Sequence, residues 1–199
     1  MVRLSSLVLV LAFAIACSGP RKPTPPTNAL LIVGYDREPD TLNRFSTHIL
    51  EDTMICISEG LTVWNEKMEA VPVLAEVVPA PENGLVRVLE DGRLEVTWKL
   101  RSGVRWHDGE PFTSSDVAFT VETINDPAYN PESTEGFDLI ESVAAPDDLT
   151  AVVTYGRIYA AYQDQFWRGA LPRHLLEGKD LNAFPEYDRK PVGTGPYKV

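Results

Sequence analysis

The sequence has 199 residues, enough to bury one large hydrophobic core or two small ones. Asp and Glu outnumber Lys and Arg 29 to 18, for a formal net charge of -11, which excludes the basic surface that nucleic acid requires. Only two cysteines, Cys17 and Cys56, are present, so no disulfide framework supplies the stability.

In chain order, Arg3 is the only charge before an apolar run from Leu7 to Cys17. That length suits the hydrophobic segment of an export signal and falls short of the roughly 18 residues that span a bilayer. Its end, Ala14-Ile15-Ala16-Cys17, resembles the lipobox of bacterial lipoproteins, although Ala14 stands where Leu is usual. The resemblance implies cleavage after Ala16 and a lipid on Cys17; the alternative is an ordinary secretory signal cut near Ala16. The stretch from Ser18 to Thr27, rich in Pro, cannot pack a core and reads as a semi-extended tether. Ala29 to Tyr35 is a short apolar run with the length of a buried strand.

Leu50, Met54, Ile57 and Leu61 recur at helical spacing, with Ser46 or Thr47 as N-cap and Gly60 near the C-terminal end. Cys56 lies inside this apolar run, where a free thiol reads as a small buried hydrophobe. Val86 to Val88 and Leu94 to Leu100 alternate apolar with polar residues around Asp91-Gly92, predicting an antiparallel hairpin. Arg101-Ser102-Gly103 and His107-Asp108-Gly109 read as successive turns. Thr113 and Asp116 form the N-terminal signature of a helix whose Val117, Val121 and Ile124 share one face and which stops by Asp126-Pro127. Leu149, Ala151, Val153 and Tyr155 alternate as a further strand, and Ala160 to Trp167 reads as helical. Strands and helices are mixed without the regular alternation of an all-parallel sheet.

No local chemistry stands out. His48, His107 and His174 are too far apart for a zinc signature, and no metal or other cofactor is expected. Pro196 removes a backbone donor where a phosphate cradle at Gly193-Thr194-Gly195 would need one. No Gly-x-Ser-x-Gly nucleophile motif occurs, so no catalytic residues are assigned. His107-Asp108 reads as a turn in which Asp108 bonds local backbone, and Trp64, Trp98, Trp106 and Trp167 read as packing residues rather than ligand-stacking groups.

The stretch from Val96-Thr97-Trp98-Lys99-Leu100-Arg101-Ser102-Gly103 through Trp106-His107-Asp108-Gly109-Glu110-Pro111-Phe112-Thr113 to Asp116-Val117-Ala118-Phe119 resembles the signature of family 5 extracellular solute-binding proteins of ABC transporters. These include oligopeptide-, dipeptide- and nickel-binding proteins. Further stretches fall in the family's order: Glu38 to Asn43, Glu59 to Leu61 through Val71 to Glu76, Ala145 to Thr150, Leu171 to Leu176, and then Pro191 to Tyr197.

The resemblance implies a mixed α/β (α+β) fold of the type II periplasmic-binding-protein kind, two lobes closing on a cleft, incomplete here. Residues 1–16 are then a signal peptide, 17–28 a lipid-anchored tether, 29–47 the start of the first lobe, 48–186 the family's additional domain, and 187–199 the return to the first lobe. The second lobe, which supplies most groups that fix a ligand, is expected beyond this stretch. Ser46, Thr47 and His48 correspond to ligand-contacting positions of oligopeptide-binding relatives, where hydroxyl and backbone groups can bond an extended solute; the bland reading is that Ser46 or Thr47 only caps the helix. The implied protein is a non-enzymatic, extracytoplasmic receptor for a small solute, most simply a peptide, working with the transmembrane subunits of an ABC permease and held to the membrane through Cys17. An enzyme or a scaffold lipoprotein on the same fold is the alternative.

Overall fold

The computed structural model describes residues 32, 34, 36–49 and 52–199. The export signal, the tether with Cys17, and the expected strand over 29–35 apart from Ile32 and Gly34 lie outside the described residues. The chain divides after Asp36, and the account below concerns the unit from Arg37 to Val199.

A four-stranded antiparallel sheet forms its centre, in the order β3 (Val86–Val88), β4 (Leu94–Lys99), β6 (Thr150–Tyr155), β5 (Ile140–Asp147). Period-two alternation builds it. Leu94, Val96 and Trp98 of β4 lie opposite Tyr155, Val153 and Ala151 of β6, and these six side chains are buried, so one face of the central pair is continuously apolar. The expected hairpin is present, with Val86 paired to Val96 and Gly92 at φ 87° in the turn. β5 is an edge strand whose residues after Ile140 are mostly exposed, and its register with β6 shifts at two places.

Helix α2 (Ser114–Ile124) packs on this sheet through Val117, Val121 and Ile124. Its start follows the sequence signal: the Thr113 N–H donates to Asp116 Oδ2 at 2.8 Å, satisfying a donor that a helix terminus would otherwise leave open. Asp116 does more than cap. The same carboxylate accepts the Arg173 N–H at 3.0 Å and Trp106 Nε1 at 3.3 Å, tying α2 to the preceding turn and to α3 (Arg173–Leu176). Burial dominates its protonation and raises its pKa against these three donors. Phe166 completes the core, edge-on to Trp98 at 5.8 Å and to Phe137 at 5.9 Å between ring centroids.

Three sequence expectations are revised. Helix α1 runs only over Asp52–Ile57; Ser46 and Thr47 precede it and do not cap it, and Leu61 and Gly60 lie beyond it. Gly60 is instead pressed on the chain at Trp167, whose carbonyl oxygen lies 2.5 Å from where a Cβ would stand, and Leu61 N–H donates to the Phe166 carbonyl at 3.0 Å. Cys56 is exposed rather than buried, because α1 turns Met54 and Ile57 inward and leaves Ile55 and Cys56 on its outer side. Ala160–Asp164 is a kinked 3-10 segment followed by turns, since its carbonyl and carboxylate groups bond to a short hairpin, β1 (Thr62–Trp64) with β2 (Ala70–Pro72). Thr62 Oγ1 donates to the Gln163 carbonyl at 2.5 Å and Trp64 Nε1 to Asp164 Oδ1 at 2.9 Å.

Candidate functional site

Ser46, Thr47 and His48 are brought together in one loop, organised by Asp40, which lies within the Glu38 to Asn43 stretch and to which the sequence assigns no role. Asp40 Oδ1 accepts the Thr47 hydroxyl at 2.5 Å and the Thr41 N–H at 3.1 Å, while Oδ2 lies 3.0 Å from His48 Nδ1; the His48 N–H points at both oxygens at 3.3 Å. Partial desolvation pulls the Asp40 pKa upward, but the bonds from Thr47, the His48 ring and the two N–H groups outweigh it and hold the carboxyl well below the usual aspartate range. The carboxylate is therefore the hub of the loop.

The three predicted residues differ in what they leave available. Thr47 is fully buried, and its hydroxyl also bridges to Ile49, accepting the N–H at 3.1 Å. Ser46 Oγ accepts Asn43 Nδ2 at 3.1 Å and shares a 2.9 Å hydrogen bond with the hydroxyl of Tyr129. Burial raises the Tyr129 pKa despite these bonds, so the phenol stays neutral. His48 alone faces solvent, with its side chain 75% exposed. The loop thus presents an imidazole oriented by a carboxylate, over hydroxyls already committed within the protein. Such an arrangement can hydrogen-bond a solute. With the Thr47 hydroxyl held by Asp40, it aims no free nucleophile at a substrate.

Neighbouring contacts fix the loop to the body. Leu42 N–H donates to the Asp188 carbonyl at 2.8 Å, beside α4 (Pro185–Arg189). Arg44 is buried and donates through Nη1 to the Ser58 and Arg168 carbonyls at 2.6 and 3.0 Å. Burial, then repulsion from Arg168, pushes its pKa down to about 10. Trp167 lies beneath both guanidinium groups, 5.2 and 5.1 Å from its ring centroid.

A second polar cluster surrounds His107. The turn reading holds for Asp108, whose Oδ1 accepts the Glu110 N–H at 3.2 Å. Its other oxygen, 2.7 Å from His174 Nε2, joins the turn to α3. His107 itself grips the end of the chain. Its N–H donates to the Gly193 carbonyl at 2.9 Å, its Nδ1 accepts the Gly193 N–H at 3.2 Å, and Nε2 lies 2.8 Å from the Gly195 carbonyl. These partners define the tautomer: Nδ1 must be bare and Nε2 must carry the proton. On the other side of this segment Gly195 N–H donates to the Ile57 carbonyl at 2.8 Å and Tyr197 N–H to that of Cys56 at 3.1 Å. A Cβ on Gly193 or Gly195 would run into the Ile57 or Cys56 carbonyl oxygen. Both glycines are thus required by close approach of backbone to backbone. Among the described residues no group of three or more His, Cys, Asp or Glu is placed to hold a metal ion.

Residues 69–199 match the family model described as bacterial extracellular solute-binding proteins, family 5 middle. The chain belongs to this family. Protein XP55 of Streptomyces lividans is 32% identical over 167 residues, 84% of this chain and 29% of that protein. NikZ from Campylobacter jejuni, solved in complex with Ni(L-His), superposes with a TM-score of 0.70 and 31% identity over 81% of this chain and 31% of its own. The oligopeptide-binding protein AppA from Bacillus subtilis, solved with a nonapeptide, gives 0.68 and 26% identity over 81% of this chain and 32% of its own. The fold is accordingly that of a mixed α/β, type II periplasmic-binding-protein-like member of family 5, and the chain spans about a third of the length of these relatives.

Proposed function

We propose that this chain serves an extracytoplasmic receptor that captures a small solute, most simply a peptide, and delivers it to the transmembrane subunits of an ABC permease. The observation that carries the reading is family membership through residues 69–199, joined to the likeness to a protein solved with a nonapeptide bound. The receptor acts without turnover: a hinged protein closes on its ligand through differential affinity for the closed state. Residues 29–47 begin the first lobe, 48–186 form the additional domain, and 187–199 re-enter the first lobe. Two contacts support that division: the Asp188 carbonyl accepts the Leu42 N–H, joining residues 187–199 to 29–47 within one lobe, and His107 holds Gly193 and Gly195, joining the additional domain to the returning segment.

In this reading the 46–48 loop meets the solute through the exposed His48 imidazole, with Ser46 and Thr47 setting its geometry from beneath. The lipid on Cys17 keeps the receptor beside its permease. Uptake of a labelled oligopeptide by cells carrying or lacking the gene tests the transport role: loss of uptake on deletion, restored by the wild-type gene, is expected, and undiminished uptake of every peptide length tried overturns it. Ni(L-His) uptake in the same strains separates a peptide from a metal-chelate cargo. A Cys17→Ser change is expected to move the protein from the membrane to the soluble fraction.

A further inference from the structure

A cavity of about 240 Å³ opens between the 133–137 turn and the 159–168 segment, and it is built unlike the 46–48 loop. Four aromatic residues, Phe45, Phe137, Tyr159 and Trp167, contribute to its walls, together with two carboxylates, Glu135 and Asp164. Among the described residues neither carboxylate forms an ion pair with a basic side chain; Asp164 only accepts Trp64 Nε1. Arg168 is the cation on the wall, and its charge is spent on Glu132 at 2.5 Å and the Arg44 carbonyl at 2.7 Å. The recess therefore keeps a net negative, aromatic lining, the combination that attracts organic cations.

Gln165 narrows the ligand further. It lines the same cavity with 6% of its surface exposed, and its Nε2 donates to the Glu135 carbonyl at 3.5 Å. In the orientation that makes this bond, Oε1 is left buried with no partner. Gly136, at φ 78°, makes room for it: a Cβ there would collide with Gln165 Oε1 and the Tyr159 hydroxyl. Burial, then Glu135, Asp164 and Asp138, raise the Tyr159 pKa, so this hydroxyl stays neutral. An unmet buried acceptor is costly and is relieved only by a donor. A carboxylate or phosphate ligand would face Glu135 and Asp164, and a quaternary ammonium has no N–H to give. We propose that this cavity is a binding site for a primary alkylammonium, its N–H groups directed to Gln165, Glu135 and Asp164 and its alkyl chain laid on the aromatic walls.

Titration of the chain with n-butylammonium, tetramethylammonium and 1-butanol, followed by calorimetry and by tryptophan fluorescence, tests this. Saturable binding of n-butylammonium at roughly millimolar concentration is expected for so small a ligand, with tetramethylammonium about tenfold weaker and 1-butanol not saturating. The surface double variant Glu135→Gln with Asp164→Asn is expected to weaken n-butylammonium about tenfold while leaving the unfolding temperature unchanged. The tripeptide Gly-Lys-Gly in the same assay distinguishes a lysine side chain from a free amine as the source of the ammonium. Equal binding of 1-butanol, equal binding of tetramethylammonium, an unaffected double variant, or no saturation at all overturns the proposal.

Discussion

The sheet and α2 on one hand, and the 40–48 and 193–197 segments on the other, are held by different physics. In the first region Val96, Trp98, Val117, Ala151 and Val153 have no exposed surface, and the stabilisation is non-directional burial of apolar area. In the second, a carboxylate, two imidazoles and two glycines fix backbone through directional hydrogen bonds near solvent. Burial of the first kind is lost only on global unfolding, whereas polar staples at a surface open locally at lower cost.

The largest effect should come from breaking the body. Trp98→Ala removes the central side chain between the sheet and Phe166 and is expected to cost about 3–5 kcal/mol in urea unfolding. Next is Asp116→Asn, which leaves one amide oxygen for the donors of Thr113, Arg173 and Trp106; a loss of about 1–3 kcal/mol is expected. Gly193→Ala should act differently. Its Cβ collides with the Ile57 carbonyl, so amide protection should collapse at Gly193, Gly195 and Tyr197 in hydrogen exchange, with the β4 and β6 amides unchanged. Equal loss of protection in the sheet would show that the two regions open as one.

Legibility in the sequence follows the same line. The β3–β4 hairpin, the start of α2 and the β6 strand were readable because their signals are local: Asp91-Gly92, Thr113 with Asp116, and alternation from Leu149 to Tyr155. β5 carries no signal in the sequence because an edge strand with mostly exposed side chains has no period. The 160–167 segment has helical spacing but is not a regular helix, because its partners are tertiary, Thr62 and Trp64 from a hairpin about a hundred residues away. Ser46, Thr47 and His48 stand out only by family resemblance, and Asp40 and Tyr129, which hold them, carry no signal that spacing alone reveals. The grip of His107 on Gly193 and Gly195 is equally long-range.

The smallest expected effect sharpens the comparison through its sign. Burial raises the Asp116 pKa, so its contribution to stability is fully present below the unfolded value and declines as pH rises through the folded one. Asp40 runs the other way. Its pKa is depressed in the folded loop, so the contribution is present above the ordinary value of 3.8 and is lost as pH falls below it. With the Asp40 side chain 42% exposed, solvent screens the bonds and the loss is local. The Thr47 and His48 amide resonances should therefore hold as pH falls through the ordinary aspartate value of 3.8 and move only well below it, while those of β4 and β6 stay fixed. Asp40→Asn should bring the loop resonances to their acid positions at neutral pH and remove their dependence on acid. Loop resonances that follow the sheet at every pH would mean that one cooperative unit, and not two, underlies the fold.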